Sequence, residues 1–258
     1  MPSFGSNRRQ FLKASAFTVG AGLYMPDLIS SELNDEADLS TTGLPAGSVV
    51  VFQGDSITDA GRNKENQEAN SGRSLGSGYA MLAAAQLRAR QPKMDWQCFN
   101  RGISGNKVYQ LAERWDADCI TLAPHVLSML IGVNDFWHKL NGNYDGTVEV
   151  YERDYRALLD RTRAALPDVR LILCEPFAVA GGTAINESWQ PEFDTYRAAA
   201  KRVAVDYKAQ WVPYQTLFDA ALKQAPASYW CPDGVHPAPA GNALMAEAWL
   251  KAFRKASK

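Results

Sequence analysis

Three histidines occur in the 258 residues, so the search for a catalytic base is short. His236 follows Asp233 by three positions, and in a D-x-x-H turn the carboxylate can hold one ring nitrogen while the other faces outward. A purely structural turn would look the same. A serine hydroxyl becomes a nucleophile when such a base takes its proton and donors await the oxyanion. Ser56, after Gly54-Asp55, stands where an apolar run stops, a place from which its hydroxyl can project into a cleft. Serine there is also a common helix N-cap, and the roles are compatible because a cap position offers its backbone N–H to an anion. The segment is not a G-x-S-x-G elbow, since position 58 is threonine. Gly102 can present an unobstructed N–H or simply make a turn, and Asn134 can donate its side-chain amide or follow Gly132 as a turn residue. His125 enters a strand-like run from the wrong end for a ligand site. His138 lies beyond Asn134, where it can touch a substrate or stand as an exposed loop histidine.

These residues need a scaffold that brings them to one edge. Short apolar runs at 48–52, 95–100, 126–131, 169–174 and 210–213 read as strands. Segments 79–90, 148–166, 193–208 and 239–255 carry apolar residues at helical spacing; Tyr155, Leu158, Leu159, Thr162 and Leu166 share one face. Strands alternating with helices imply an α/β fold, a mostly parallel sheet covered on both sides. Ligands bind such sheets at the carboxyl ends of the strands. The first four runs are followed there by Gly54-Asp55-Ser56, Asn100-Arg101-Gly102, Gly132-Val133-Asn134-Asp135 and Glu175-Pro176-Phe177.

Composition narrows the function from the other side. With 46% hydrophobic and 21% charged residues the chain is too apolar for a disordered protein, and a net charge of -1 is too balanced for a dedicated nucleic-acid binder. The charge is unevenly spread. Residues 1–26 hold Arg8, Arg9 and Lys13 and no acid, which leaves -4 on the rest. Such an acidic body has no electrostatic reason to hold phosphate backbones or anionic lipid. Ala14 to Pro26 is uncharged but too short to span a bilayer, which takes about 20 residues. A basic region before a short apolar one is the layout of an export signal, and Asn7-Arg8-Arg9-Gln10-Phe11-Leu12-Lys13 resembles the twin-arginine pattern. Residues 27–45 read as a polar linker and 46–258 as one domain, with periplasmic or extracellular localisation expected. Cys98, Cys119, Cys174 and Cys231 show no metal-ligand spacing, and no disulfide framework or metal is expected.

Each signal is modest alone, but four at consecutive strand ends in a fixed order are specific. Gly54-Asp55-Ser56-Ile57, Gly102, Gly132-x-Asn134-Asp135 and Asp233-x-x-His236 resemble the four blocks of the SGNH, or GDSL-type, hydrolases over about residues 48–250. The resemblance implies a three-layer α/β/α sandwich with a five-stranded, flavodoxin-like sheet. It implies Ser56 as nucleophile, His236 as base and Asp233 as its orienting acid. The oxyanion donors would be the N–H groups of Ser56 and Gly102 and the Asn134 amide, and no cofactor is called for. Leu75-Gly76-Ser77-Gly78-Tyr79, Asn100 to Asn106 and Ile131 to Trp137 look like the acetylxylan-esterase branch, which implies an acetylated carbohydrate as partner. Asp55, Trp137, Phe177 and Trp230 are the residues expected to meet it, although each aromatic could equally be buried. A lysophospholipase or thioesterase on the same site, and an inactive carbohydrate-binding module, are the alternatives. Self-association into a homo-oligomer is left open.

Overall fold

A computed structural model describes residues 43–256. The expected leader at 1–26, and the linker up to residue 42, lie outside the described residues. The five runs form β1 (Val49–Gly54), β2 (Gln97–Asn100), β3 (Val126–Leu130), β4 (Arg170–Cys174) and β5 (Gln210–Val212). They make one sheet in the order β2-β1-β3-β4-β5, and every neighbouring pair is parallel. This is the flavodoxin-like order, and among the described strands the sheet is wholly rather than mostly parallel. Val50, Val51 and Phe52 are all buried in succession, as a strand covered on both faces requires.

Eight helices matter to the site or the layers: α1 (Ser56–Asp59), α2 (Tyr79–Arg90), α3 (Val108–Glu113), α4 (Val133–Leu140), α5 (Val148–Ala165), α6 (Glu192–Asp206), α7 (Tyr214–Ala221) and α8 (Pro239–Ala256). The four long ones start and stop within two residues of the segments marked by apolar periodicity. The others are too short to display a period. Given the right-handed crossovers that parallel sheets take, the strand order puts α2, which packs against α8, on one face of the sheet and α5 with α6 on the other. On the first face, Trp249 of α8 lies on Phe52 with ring centroids 4.8 Å apart, and its indole N–H donates to Ser128 Oγ at 2.8 Å. On the second, the Trp115 indole donates to Thr162 Oγ1 at 2.9 Å, and Phe136 sits among Trp189, Phe193 and Tyr196. Buried indole and hydroxyl groups thus find partners across the layers, which fixes their registration as well as filling space.

His125 stays at the amino-terminal edge, where its Nδ1 accepts from the Val49 N–H at 3.1 Å. All strands run the same way, so Gly54, Asn100, Leu130 and Cys174 end on the opposite rim.

Candidate active site

Ser56 is the first residue of α1. Asp55 is the N-cap, its Oδ1 accepting from the Ile57 N–H at 3.0 Å, so the cap falls one residue earlier than Ser56 itself. This frees the Ser56 hydroxyl, which lies 2.8 Å from His236 Nε2. The first-turn N–H of Ser56 has no helical acceptor and, among the described residues, no other backbone partner, so it remains available as a donor. The His236 Nδ1 is 2.6 Å from Asp233 Oδ2, while Asp233 Oδ1 accepts from the backbone N–H groups of Val235 at 2.9 Å and His236 at 2.7 Å. Partial burial pushes the Asp233 carboxyl up, but these hydrogen bonds outweigh it and hold the group below its ordinary range. An ionised carboxylate, an imidazole and a hydroxyl therefore stand in one hydrogen-bonded line, able to draw a proton off Ser56.

Two further loops reach this rim, and here the structure departs from expectation. The Gly102 N–H donates to Asn100 Oδ1 at 2.9 Å, so it is committed elsewhere. A side chain on Gly102 would come within 2.4 Å of the Asp59 backbone nitrogen; the glycine is needed for close packing against α1, not as an oxyanion donor. Three residues on, Gly105 has a positive φ of 80°, and among the described residues its N–H has no hydrogen-bond partner. The next residue, Asn106, accepts the Asn134 amide at 3.3 Å through its carbonyl, which brings Gly105 beside Asn134. That bond uses one amide hydrogen of Asn134 and leaves the second. The signal for Gly105 in the sequence was the Ser104-Gly105 pair later in the same loop.

The loop is held from behind by residues whose roles the motifs did not announce. Arg62 Nε donates to the Gly102 carbonyl and Arg114 Nη1 to the Arg101 carbonyl, each at 2.8 Å. Asp59 Oδ2 accepts from both the N–H and hydroxyl of Ser104 at 2.9 Å and from Lys64 at 2.8 Å. The Asp135 Oδ1 accepts from the Val108 N–H at 3.1 Å, tying α4 to the start of α3.

The residues expected to meet substrate divide sharply. Asp55 is 0% exposed and caps α1 instead. Phe177 is also fully buried, packed on Phe218 at 4.7 Å and Tyr214 at 6.0 Å, and is a core residue. Trp137 is half-buried against Trp189, and Trp230 is half-buried with its indole donating to the Ala225 carbonyl at 3.2 Å. Only these two keep surface to offer. Among the described residues no group of three or more His, Cys, Asp or Glu side chains could hold a metal ion, and no helix is long and apolar enough to cross a membrane.

Burial pushes the Asp55 carboxyl up to about 7, and its Oδ2 has no partner. Between its unfolded value near 3.8 and about 7 the native state binds the proton that the unfolded chain has lost. Stability therefore falls as pH rises through that window and levels off above it. The whole effect is of order 4 kcal/mol by the usual conversion. Asp55→Asn keeps the Ile57 acceptor and carries no charge. Its melting temperature is expected to gain on the wild type from pH 5 to pH 8; parallel curves in calorimetry would contradict this.

Comparison with known proteins decides the family. A sequence model of the GDSL-like lipase/acylhydrolase family matches residues 52–244. The chain belongs to that family. This GDSL-like hydrolase is accordingly a carboxylic ester hydrolase. It is 33% identical over 208 residues to an acetylxylan esterase of Geobacillus stearothermophilus, covering 80% of this chain and 94% of that one. A structure of a GDSL-like lipase from Parabacteroides merdae is 48% identical, covers 82% of this chain and 98% of its own, and superposes with a TM-score of 0.80. Solved structures of the Geobacillus esterase, 30% identical with TM-scores of 0.72 to 0.73, cover 81% of this chain and 95% of theirs. They include catalytic mutants at a serine, an aspartate and a histidine, the last two three positions apart. Asp233 and His236 of the GDSL-like hydrolase have the same separation.

Proposed function

We propose that this ester hydrolase is an exported serine esterase that removes acetyl groups from a neutral carbohydrate such as acetylated xylan or its oligosaccharides. The observation that carries the chemistry is the unbroken line from Ser56 Oγ through His236 to Asp233. In the proposed reaction His236 Nε2 takes the Ser56 proton as Oγ bonds to the acetyl carbonyl carbon. The Ser56 N–H, the Gly105 N–H and the second Asn134 amide hydrogen receive the oxyanion. When the tetrahedral adduct collapses, the carbon–oxygen bond to the sugar breaks and His236 gives its proton to that oxygen. Water then attacks the acetyl-Ser56 carbonyl by the same relay, releasing acetate and restoring the hydroxyl.

The similarity to a xylan-directed esterase supports the sugar, and the half-buried indoles of Trp137 and Trp230 supply aromatic surface of the kind sugar rings stack on. The acidic body outside the leader favours a neutral glycan over pectin. Export rests on the twin-arginine-like segment alone. Acetate release from acetylated xylan, mannan, pectin and peptidoglycan, set beside nitrophenyl esters of increasing chain length, tests the proposal. Acetate is expected from xylan or mannan, with rates falling as the acyl chain lengthens. A preference for eight or more carbons would instead make this a long-chain acylhydrolase.

A further inference from the structure

His138 is four residues beyond Asn134 on α4, so the two side chains lie on the same helix face one turn apart. Its ring comes within 3.9 Å of where a side chain on Gly105 would begin, which places it at the edge of the proposed oxyanion donors. Its Nδ1 is 3.0 Å from Lys107 Nζ. Lys107 is only 6% exposed and has no carboxylate within ion-pair distance among the described residues; the Tyr109 and Tyr144 rings wall it in, 5.6 and 5.3 Å from Nζ. That is an unusual place for an ammonium group. An ammonium group can only donate, so Nδ1 must accept. The ring proton of the neutral imidazole then sits on Nε2. Partial burial and the neighbouring Lys107 charge both lower the pKa of His138, which keeps the ring neutral. Nε2 has no partner among the described residues.

We infer that His138 is a substrate-binding residue whose Nε2–H, fixed by Lys107 as positioning residue, donates to an oxygen of a neutral sugar unit next to the ester. This rests on the carbohydrate function proposed above. An amphoteric hydroxyl array offers acceptors at many angles, so a donor of fixed tautomer selects one orientation of the sugar. An aryl acetate has no sugar hydroxyl to offer at that place.

The test compares acetylated xylo-oligosaccharide with 4-nitrophenyl acetate in the full-length protein. In His138→Ala the ratio of kcat/KM for the sugar over that for the aryl ester is expected to fall about tenfold, mainly through KM, as the loss of one hydrogen bond allows. His138→Gln, which retains an N–H donor, is expected to recover part of it. Nitrogen-15 chemical shifts of the His138 ring should report the Nε2–H tautomer in the wild type and a mixture in Lys107→Met. Equal losses on both substrates in His138→Ala, or an Nδ1–H tautomer in the wild type, would overturn the assignment. If the wild type released acetate from no sugar, the carbohydrate function would fall and this subsite with it. Acetate release that is indifferent to His138 would remove the subsite alone.

Discussion

Ser56→Ala is expected to lower kcat for ester hydrolysis by about 10⁶-fold, the scale on which removing a serine nucleophile acts in triad hydrolases. The substitution deletes one atom. Among the described residues the hydroxyl's only hydrogen bond is the one to His236, and Ser56 is half-buried at the start of α1, whose cap is supplied by Asp55. No core contact or helix cap goes with it, so the melting temperature should stay where it is. That separation is what makes the measurement decisive: activity vanishes in a protein that is still folded. His236→Ala should produce a loss of similar size, and the double variant little more, because base and nucleophile act as one unit. Retention of more than about one per cent of activity in folded Ser56→Ala would place the nucleophile elsewhere. In that case the 2.8 Å contact with His236 would be structural.

The parts of this molecule that were legible in its sequence are those with a strong local cause. Parallel strands buried on both faces must be apolar throughout, and the run from Val49 to Phe52 announces itself. Long helices packed on one side repeat their apolar residues, so α2 and α5 were marked to within a residue. The Asp233–His236 pair was legible because its geometry is closed within four residues. What stayed hidden depends on contacts far along the chain. Gly102 and Gly105 are both loop glycines three positions apart, and only the approach of Asp59 and Asn100 to the first, and of Asn134 to the loop after the second, tells them apart. Phe177 follows a strand on the ligand rim as Trp137 does, yet Phe218 and Tyr214 bury it. Asp55 is hidden for a related reason: it precedes Ser56 on the ligand rim, yet its Oδ1 caps α1 through the Ile57 N–H and the residue is fully buried.

Asp233→Asn should lower kcat by about 10⁴-fold with the fold intact, and the local backbone explains why an isosteric change should act so strongly. Asp233 Oδ1 receives two backbone N–H groups, from Val235 and His236. In the variant those donors can be satisfied only by the amide oxygen, so the amide has one allowed orientation. Its NH₂ group then occupies the place of Oδ2 and points at His236 Nδ1. A donor there forces Nδ1 to accept, which moves the ring proton to Nε2, opposite the Ser56 hydroxyl. The base position is thereby filled with a proton, and Ser56 faces a donor where it needs an acceptor. Asp233→Ala removes the acceptor of both backbone N–H groups as well, so it should lower stability in addition to rate, whereas the asparagine should not. The two variants therefore separate orientation of His236 from maintenance of the turn. Nitrogen-15 shifts of the His236 ring should show Nδ1–H in the wild type and Nε2–H in Asp233→Asn. An asparagine variant with the Nε2–H tautomer and near-normal kcat would mean that His236 is not the base. An unchanged tautomer would mean that the two backbone donors do not lock the side chain as their distances imply.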